Sequence, residues 1–443
     1  MIELVITLVV FPLVGAAAAI LLRIPIPRSI ATGIAFVFLL GIGVHGAVLF
    51  AFGARRWMFF TIPILLGSAA TLVAAVHRAS RSWRFVNEQR QLALPHSTTS
   101  ALFFALPLIV LLFAASVIPT RDYDGRVTWL PKARAIALEQ SITGPFFHGE
   151  RGINLHNRYP LLMPTAAATP MVMSGDTRNE AARWIYVLIP IAALIVLRAM
   201  LITWFGTTGA WVSAAMPWLG MLTTIEGGAL AAYNDFALAA FFGMAVLYLI
   251  ASLDDPLALR AVGLFTAFAL LTKNEGAVLA IAMLVAAVVV RRLKWLWLLA
   301  PVVVAEGIVM VWRRLVPAAY DEQYEVLVSS LPASLDRVPS AIAAFAKHAV
   351  DFSEWGIFWI ALIVAIVSLG RRVSSPVVLI PLITITVPLA AYIAALAVTS
   401  WSMDDLAKVA VNRLLVHLLV PAAYILTLAL RKTEPSSGVT TAP

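Results

Sequence analysis

The chain reads as an all-α polytopic membrane protein, because 61% of its 443 residues are hydrophobic, only 12% are charged and its mean hydropathy is +0.93. No soluble domain hides that much apolar surface in a single core. Apolar runs recur from the first residues to about position 430. Each comes near the roughly 20 helical residues that a hydrocarbon layer of about 30 Å requires. The runs are continuous rather than alternating in polarity, which selects helices over a β-barrel as the way to satisfy the backbone in lipid.

The pattern predicts about thirteen transmembrane helices, at 2–22, 30–52, 57–76, 101–118, 184–204, 208–225, 235–253, 257–272, 276–290, 295–312, 354–370, 377–398 and 413–430. They make one integral membrane domain over 1–430, whose N-terminal helices fill 1–100 and which is followed by a tail, 431–443, of disordered composition. Met1-Ile2-Glu3 leads directly into a run too long for a signal-peptide core and without a basic flank, so it is read as a retained first helix. Arg23 and Arg28, the group Arg78, Arg81, Arg84 and Arg90, then Arg291, Arg292 and Lys294, then Arg371 and Arg372, and finally Arg431 and Lys432 fall on one side if every run crosses. The positive-inside rule makes that side cytoplasmic, with the N-terminus outside and the C-terminus inside. Arg55, Arg56, Arg313 and Arg314 then land on the outer side, against the rule. A phosphate-handling face keeps arginines there despite the topological penalty.

Three outer segments follow from this map: a large loop over 119–183, a second over 313–353 and a short one over 399–413. In the first, Trp129 to Glu139 reads as an interfacial helix opened by Pro131, since proline is tolerated in a first turn. In the second, Val338, Ile342 and Phe345 recur at helical spacing, with Lys347 and His348 beyond them.

The formal net charge of +9 does not point to nucleic acid, because the cations are dispersed through short loops where they set topology and meet anionic lipid. The absence of cysteine excludes disulfides, thiolate nucleophiles and cysteine-ligated metals. There is no phosphate-binding Walker loop, no dinucleotide glycine fingerprint and no His-Glu-x-x-His pair.

Asp122 and Asp124 follow the fourth run, and a carboxylate pair at a membrane edge is either a solvated helix end or a site. Their loop also holds Trp129, Lys132, Arg134, His148, His156, Arg158 and Tyr159, aromatic planes and cations that suit a sugar or a phosphate. Asp235 opens the seventh run, as a helix cap or as a functional acid. Lys273 and Glu275 break two apolar runs, as a self-paired turn or as part of a site. Arg413 and His417, four apart, share a helix face, and Arg413 is alternatively a snorkelling anchor. In the predicted topology Asp122, Asp124, Lys132, Arg158, Tyr159, Asp235, Lys273, Glu275 and Arg413 converge on the outer face, with acids for proton abstraction and cations for an anionic leaving group.

Asp124 followed by Trp129 and by Lys132-Ala133-Arg134, then the segment from Tyr159 to Pro164, resembles the first outer loop of bacterial GT-C glycosyltransferases. The stretches from Tyr233 through Asp235 to Ala239 and from Thr272 to Gly276 resemble later signatures of that superfamily, which includes the mannosyltransferase- and arabinosyltransferase-like families. The likeness covers roughly residues 100–420. It implies a GT-C-like fold in the bacterial cytoplasmic (inner) membrane, and transfer of a sugar from a polyprenyl-phosphate donor to a glycan, lipid or protein acceptor at the outer face, with inversion. By match of spacing it assigns the catalytic base to Asp124, with Asp122 in reserve. For the leaving phosphate of such a reaction Lys273 and Arg413 are the expected cations, with Arg158 and Lys132 as helpers, and Trp129 and Tyr159 are expected to floor the sugar or shape the entrance. Asp235, Glu275 and His417 complete the expected substrate-binding set. No cofactor is required, and a divalent cation, Mg or Mn, at Asp122 and Asp124 stays open without a complete ligand set. The chain departs from the common plan in carrying three helices before the one that leads into the catalytic loop. The alternatives are a transporter or flippase of a lipid-linked sugar or anionic lipid, and a glycan polymerase or ligase.

Overall fold

The computed structural model describes residues 1–27, 29–79, 98–120, 122–149, 156–220, 228–290, 296–318, 332–399 and 402–431. Among them there is no strand, and every long apolar run is helical. The chain is an all-α, multi-pass membrane protein. The tail beyond 431, and the topology residues Arg28, Arg81, Arg84, Arg90, Arg291, Arg292, Lys294 and Lys432, lie outside the described residues.

The first four helices are α1 (Ile2–Leu22), α2 (Ile30–Phe52), α3 (Arg56–Ala79) and α4 (Thr98–Val117). Ser29 opens α2 by accepting a hydrogen bond from the Thr32 N–H, which satisfies one of the donors left over at a helix start. The large loop after α4 holds α5 (Leu130–Glu139), with Pro131 in its first turn as expected, and then α6 (Leu162–Ser174). The sequence pattern alone does not mark α6 as a helix of its own. It is helical because Leu162 to Met171 are all buried, packed against α2 and α5.

Next comes α7 (Asn179–Ala215), broken at Gly206, whose φ of 57° and ψ of −129° suit glycine alone. The described part of the helix expected over 208–225 is the short arm after this break, which ends at Ala215 and a 3-10 turn through Trp218, with Pro217 unable to continue the ladder; 221–225 lie outside the described residues. Buried Arg198 holds the arm back against the bundle: it donates to Ala210 O at 2.7 Å, to Ser213 Oγ at 3.1 Å and to Ser100 Oγ of α4 at 3.1 Å.

The centre of the molecule is α8 (Asn234–Ala251), where every residue from Asn234 to Ile250 is buried. It is followed by α9 (Ala258–Thr272), α10 (Gly276–Val289) and α11 (Leu296–Leu315). After α11 come α12 (Val338–Ala349) and the single turn α13 (Phe352–Trp355), then α14 (Phe358–Leu369), α15 (Pro376–Val398), α16 (Met403–Val416) and α17 (Leu419–Leu430). Around α8 pack α7, α9, α10, α15, α16 and α17.

Among the described residues, seven helical segments, or eight if α16 and α17 count as one span bent by 57°, are long and apolar enough to cross a membrane, where the sequence pattern predicts about thirteen. The runs at α9 and α10 are among those outside this count. With 15 and 14 residues each is shorter than the roughly 20 residues a crossing needs, and their joining turn at Lys273–Glu275 is drawn into the protein. Large apolar side chains face outward along the bundle, among them Ile109, Phe113, Val304 and Val367, and present a surface to lipid.

Candidate functional site: a buried ionic cluster

Five segments converge at one end of α8. Tyr233, in extended backbone, precedes the helix and makes no side-chain cap, so Asp235 in the first turn is free to turn elsewhere. Its carboxylate is 1% exposed and collects three partners. Lys273 Nζ lies 2.8 Å from Oδ1, and Arg413 reaches Oδ2 with Nε at 3.0 Å and Nη2 at 2.9 Å. His417 Nε2 lies 3.2 Å from Oδ1. A cap does not account for this residue; it is the hub of an ion-pair network.

The network extends in two directions. Toward the exterior, the remaining Arg413 nitrogen, Nη1, meets Asp124 Oδ2 at 2.8 Å, and both side chains are about one-fifth exposed. Lys273 also pairs with Glu275 at 2.9 Å, so the self-paired turn is real and is at the same time part of the larger cluster. Toward the interior, Tyr392 of α15 lies 2.9 Å from His417 Nδ1. With Tyr392 donating to Nδ1 and His417 Nε2–H donating to Asp235, every polar hydrogen of that chain has an acceptor. His417 sits at the bend between α16 and α17, one turn after Arg413, which is how both reach the same carboxylate.

Asp122 joins through Tyr233, whose hydroxyl donates to Oδ1 and whose ring lies 4.4 Å beneath the Arg413 guanidinium. The acid loop approaches α8 closely because residue 125 is glycine: a Cβ there would stand 2.0 Å from the Ala231 carbonyl oxygen. On the α8 side, Ala232 holds a left-handed φ of 56°, backbone strain placed one residue before Tyr233.

Trp129, Lys132 and Tyr159 form a second knot. Lys132, with no exposed surface, donates from Nζ to His156 O at 2.5 Å and lies 5.3 Å from the Trp129 ring centroid. Trp129 packs edge-on to Tyr159 at 5.8 Å. Since Trp129 and Lys132 are both fully enclosed, they brace the loop and present no face to a ligand, in contrast with the substrate contacts the resemblance implies. Arg158 donates from Nε to Val316 O at 3.2 Å, tying the loop to the end of α11, where Arg313 reaches Asn274 Oδ1 at 2.9 Å.

Residues of α12 and α13 hold Asn412, the neighbour of Arg413. Asn412 accepts from Trp355 Nε1 at 3.1 Å and is hydrogen-bonded to His348 at the end of α12. Burial pushes the His348 imidazole below its ordinary 6.5, and neighbouring Lys347 pushes the same way against the smaller opposing effects of Asp351 and Asn412.

Tyr392 and Asn412 escape a reading of the sequence alone. A tyrosine inside an otherwise apolar run is the available signal for the first. Among the described residues there is no group of three or more metal-capable side chains; Asp122 accepts from Tyr233, and Asp124 pairs with Arg413.

The fold and cluster define a polytopic helical membrane protein with a graded ionic site, enclosed at Asp235 and open at Asp124. No family model matches the chain, and neither a curated protein nor a solved structure matches it.

Proposed function

We propose that the protein is a membrane glycosyltransferase of the GT-C type that transfers a sugar from a polyprenyl-phosphate donor to an acceptor hydroxyl at the outer face of the bacterial inner membrane. The observation that carries this reading is the gradient along the cluster: Asp235 is 1% exposed and Asp124 19% exposed, with Arg413 bridging them. A rigid guanidinium fork anchored on Asp235 by Nε and Nη2 keeps its Nη1 edge for exchange between Asp124 and an incoming phosphate.

In the reaction, Asp124 takes the proton of the acceptor hydroxyl as its oxygen forms a bond to the anomeric carbon. The bond from that carbon to the phosphate oxygen breaks, the electron pair leaves with the polyprenyl phosphate, and the configuration inverts. Arg413 meets the charge developing on the phosphate, a preorganised contact of a kind that contributes about 3 kcal/mol in other enzymes. Lys273, 5% exposed, acts on it through Arg413 and Asp235 rather than by contact.

The test is incubation of purified protein in vesicles with radiolabelled polyprenyl-phosphate sugars. Wild type is expected to release or transfer the sugar, and Asp124→Asn to lose that activity by roughly 10²–10⁴-fold while remaining folded. Exposed Asp254→Asn, far along the chain at the other end of α8, is expected to match wild type. Lipid translocation without bond cleavage, or full activity in Asp124→Asn, overturns the reading.

A further inference from the structure

A second feature lies outside the ionic cluster. Between the ends of α2 and α11 runs an apolar groove of about 370 Å³, walled by Phe50, Ile142, Gly307, Val311, Trp312 and Leu315. It is open on its outer flank, where Val311 and Leu315 are more than half exposed. At its inner wall Trp312 is 1% exposed, set edge-on between Phe50 at 5.8 Å and Phe147 at 5.4 Å. The indole N–H of Trp312 is buried without a hydrogen-bond partner.

Four arginines lie within a few residues of Ala51 and Leu315, the last groove-lining residues of α2 and α11. Arg55 and Arg56 follow directly from the end of α2, and Arg313 and Arg314 occupy the last turn of α11. These are the same four that the thirteen-helix map of the sequence places on the outer side, against the positive-inside rule. Arg55, Arg56 and Arg314 are exposed, and among the described residues none of the three pairs with a carboxylate. Arg313 uses one nitrogen on Asn274. Glu306, the nearest acid on α11, is seven residues below Arg313, about 10 Å along the helix, so it borders the apolar length and not the cationic end.

We propose that this groove binds one acyl chain of an anionic membrane lipid, whose phosphate headgroup is held by Arg55, Arg56 and Arg314 with the remaining donors of Arg313. An apolar channel that ends in four cations is complementary to a molecule with a long tail and a phosphate, and a guanidinium matches phosphate oxygens in pairs. The inference needs only the membrane location and is independent of the transferase reading.

Gly307 supplies a clean test, because a Cβ at that position meets nothing within 4 Å. Gly307→Leu fills the groove from a helix interior that favours leucine over glycine, so folding is preserved. Delipidated protein in detergent is titrated with radiolabelled phosphatidylglycerol and with phosphatidylcholine of the same chains. Saturable phosphatidylglycerol binding is expected, at least about tenfold tighter than phosphatidylcholine. Gly307→Leu and the double variant Arg55→Gln/Arg56→Gln are each expected to weaken it about tenfold or more, with unchanged elution on size exclusion. Inorganic phosphate at millimolar concentration is expected not to compete, since it lacks the chain. Equal binding of the two lipids, wild-type affinity in Gly307→Leu, or full competition by inorganic phosphate overturns the proposal.

Discussion

Replacing Asp235 by asparagine keeps its size and removes its charge, which isolates what the hub does. The carboxylate faces Lys273 and His417 with one oxygen and the Arg413 fork with the other, all within 3.2 Å. An amide has one acceptor and one NH2, so whichever way the substituted side chain turns, a donor faces donors. Two cations also lose their counter-charge: at about 4 Å each such pair is worth about 4 kcal/mol at an effective dielectric of 20. Part of this returns as Lys273 leans on Glu275 and Arg413 on Asp124. Breaking a buried pair from one side costs about 3–5 kcal/mol, and that is the expected destabilisation, a large share of a total of about 5–15 kcal/mol. Asp124→Asn is the control. It strips one partner from an Arg413 that stays bidentate on Asp235, at a site open to solvent, and is expected to cost about 1 kcal/mol or less. Equilibrium unfolding by SDS titration from mild detergent micelles, followed by circular dichroism, measures both. If Asp235→Asn unfolds within about 1 kcal/mol of Asp124→Asn, the cluster is not organised around Asp235.

Three further outcomes rest on the same geometry. Gly125→Ala forces the acid loop away from the Ala231 carbonyl, so the proposed sugar transfer is expected to fall at least about tenfold, with a loss of stability of about 1–3 kcal/mol, read by the vesicle assay and the SDS titration together. Tyr392→Phe removes the donor to His417 Nδ1 inside a fully buried chain and is expected to destabilise by about 1–3 kcal/mol in that titration. For His348 the folded imidazole is harder to protonate than the unfolded one, so the unfolded state binds more protons below the ordinary 6.5 and folding stability falls as pH drops through that value. His348→Gln is expected to lose that component; unfolding curves at pH 7.5 and 5.5 that differ equally in both proteins refute it.

The helices were legible in the sequence because lipid allows few alternatives: an apolar run of sufficient length must satisfy its own backbone. Crossing was less legible than helicity. The runs 257–272 and 276–290 score as apolar segments whether their shared turn reaches a membrane surface or folds into the protein, and only packing against α8 decides that. The segment 162–174 is hidden for the opposite reason. Two prolines and three alanines give it weak periodicity, and its helix exists because α2 and α5 enclose it.

At the site, residue types were legible and their wiring was not. The predicted topology groups Asp124, Asp235, Lys273, Glu275 and Arg413, and i, i+4 spacing adds His417 to Arg413; the structure joins all six in one ionic network. Nothing in the spacing ranked Asp235 above Asp124 as the hub, because burial depth is set by the packing of α8 between six helices. Nor could spacing separate Lys132 from Lys273. Both are lysines in polar breaks, yet one closes on a backbone carbonyl and the other on two carboxylates. That distinction fixes what a charge can do: a lysine on a carbonyl holds a loop, whereas a lysine on a shared carboxylate sets the electrostatics of every group that carboxylate touches. Arg413 therefore couples the enclosed half of the cluster to the accessible half. A ligand that takes its Nη1 edge must displace Asp124 before Asp124 can act on anything else.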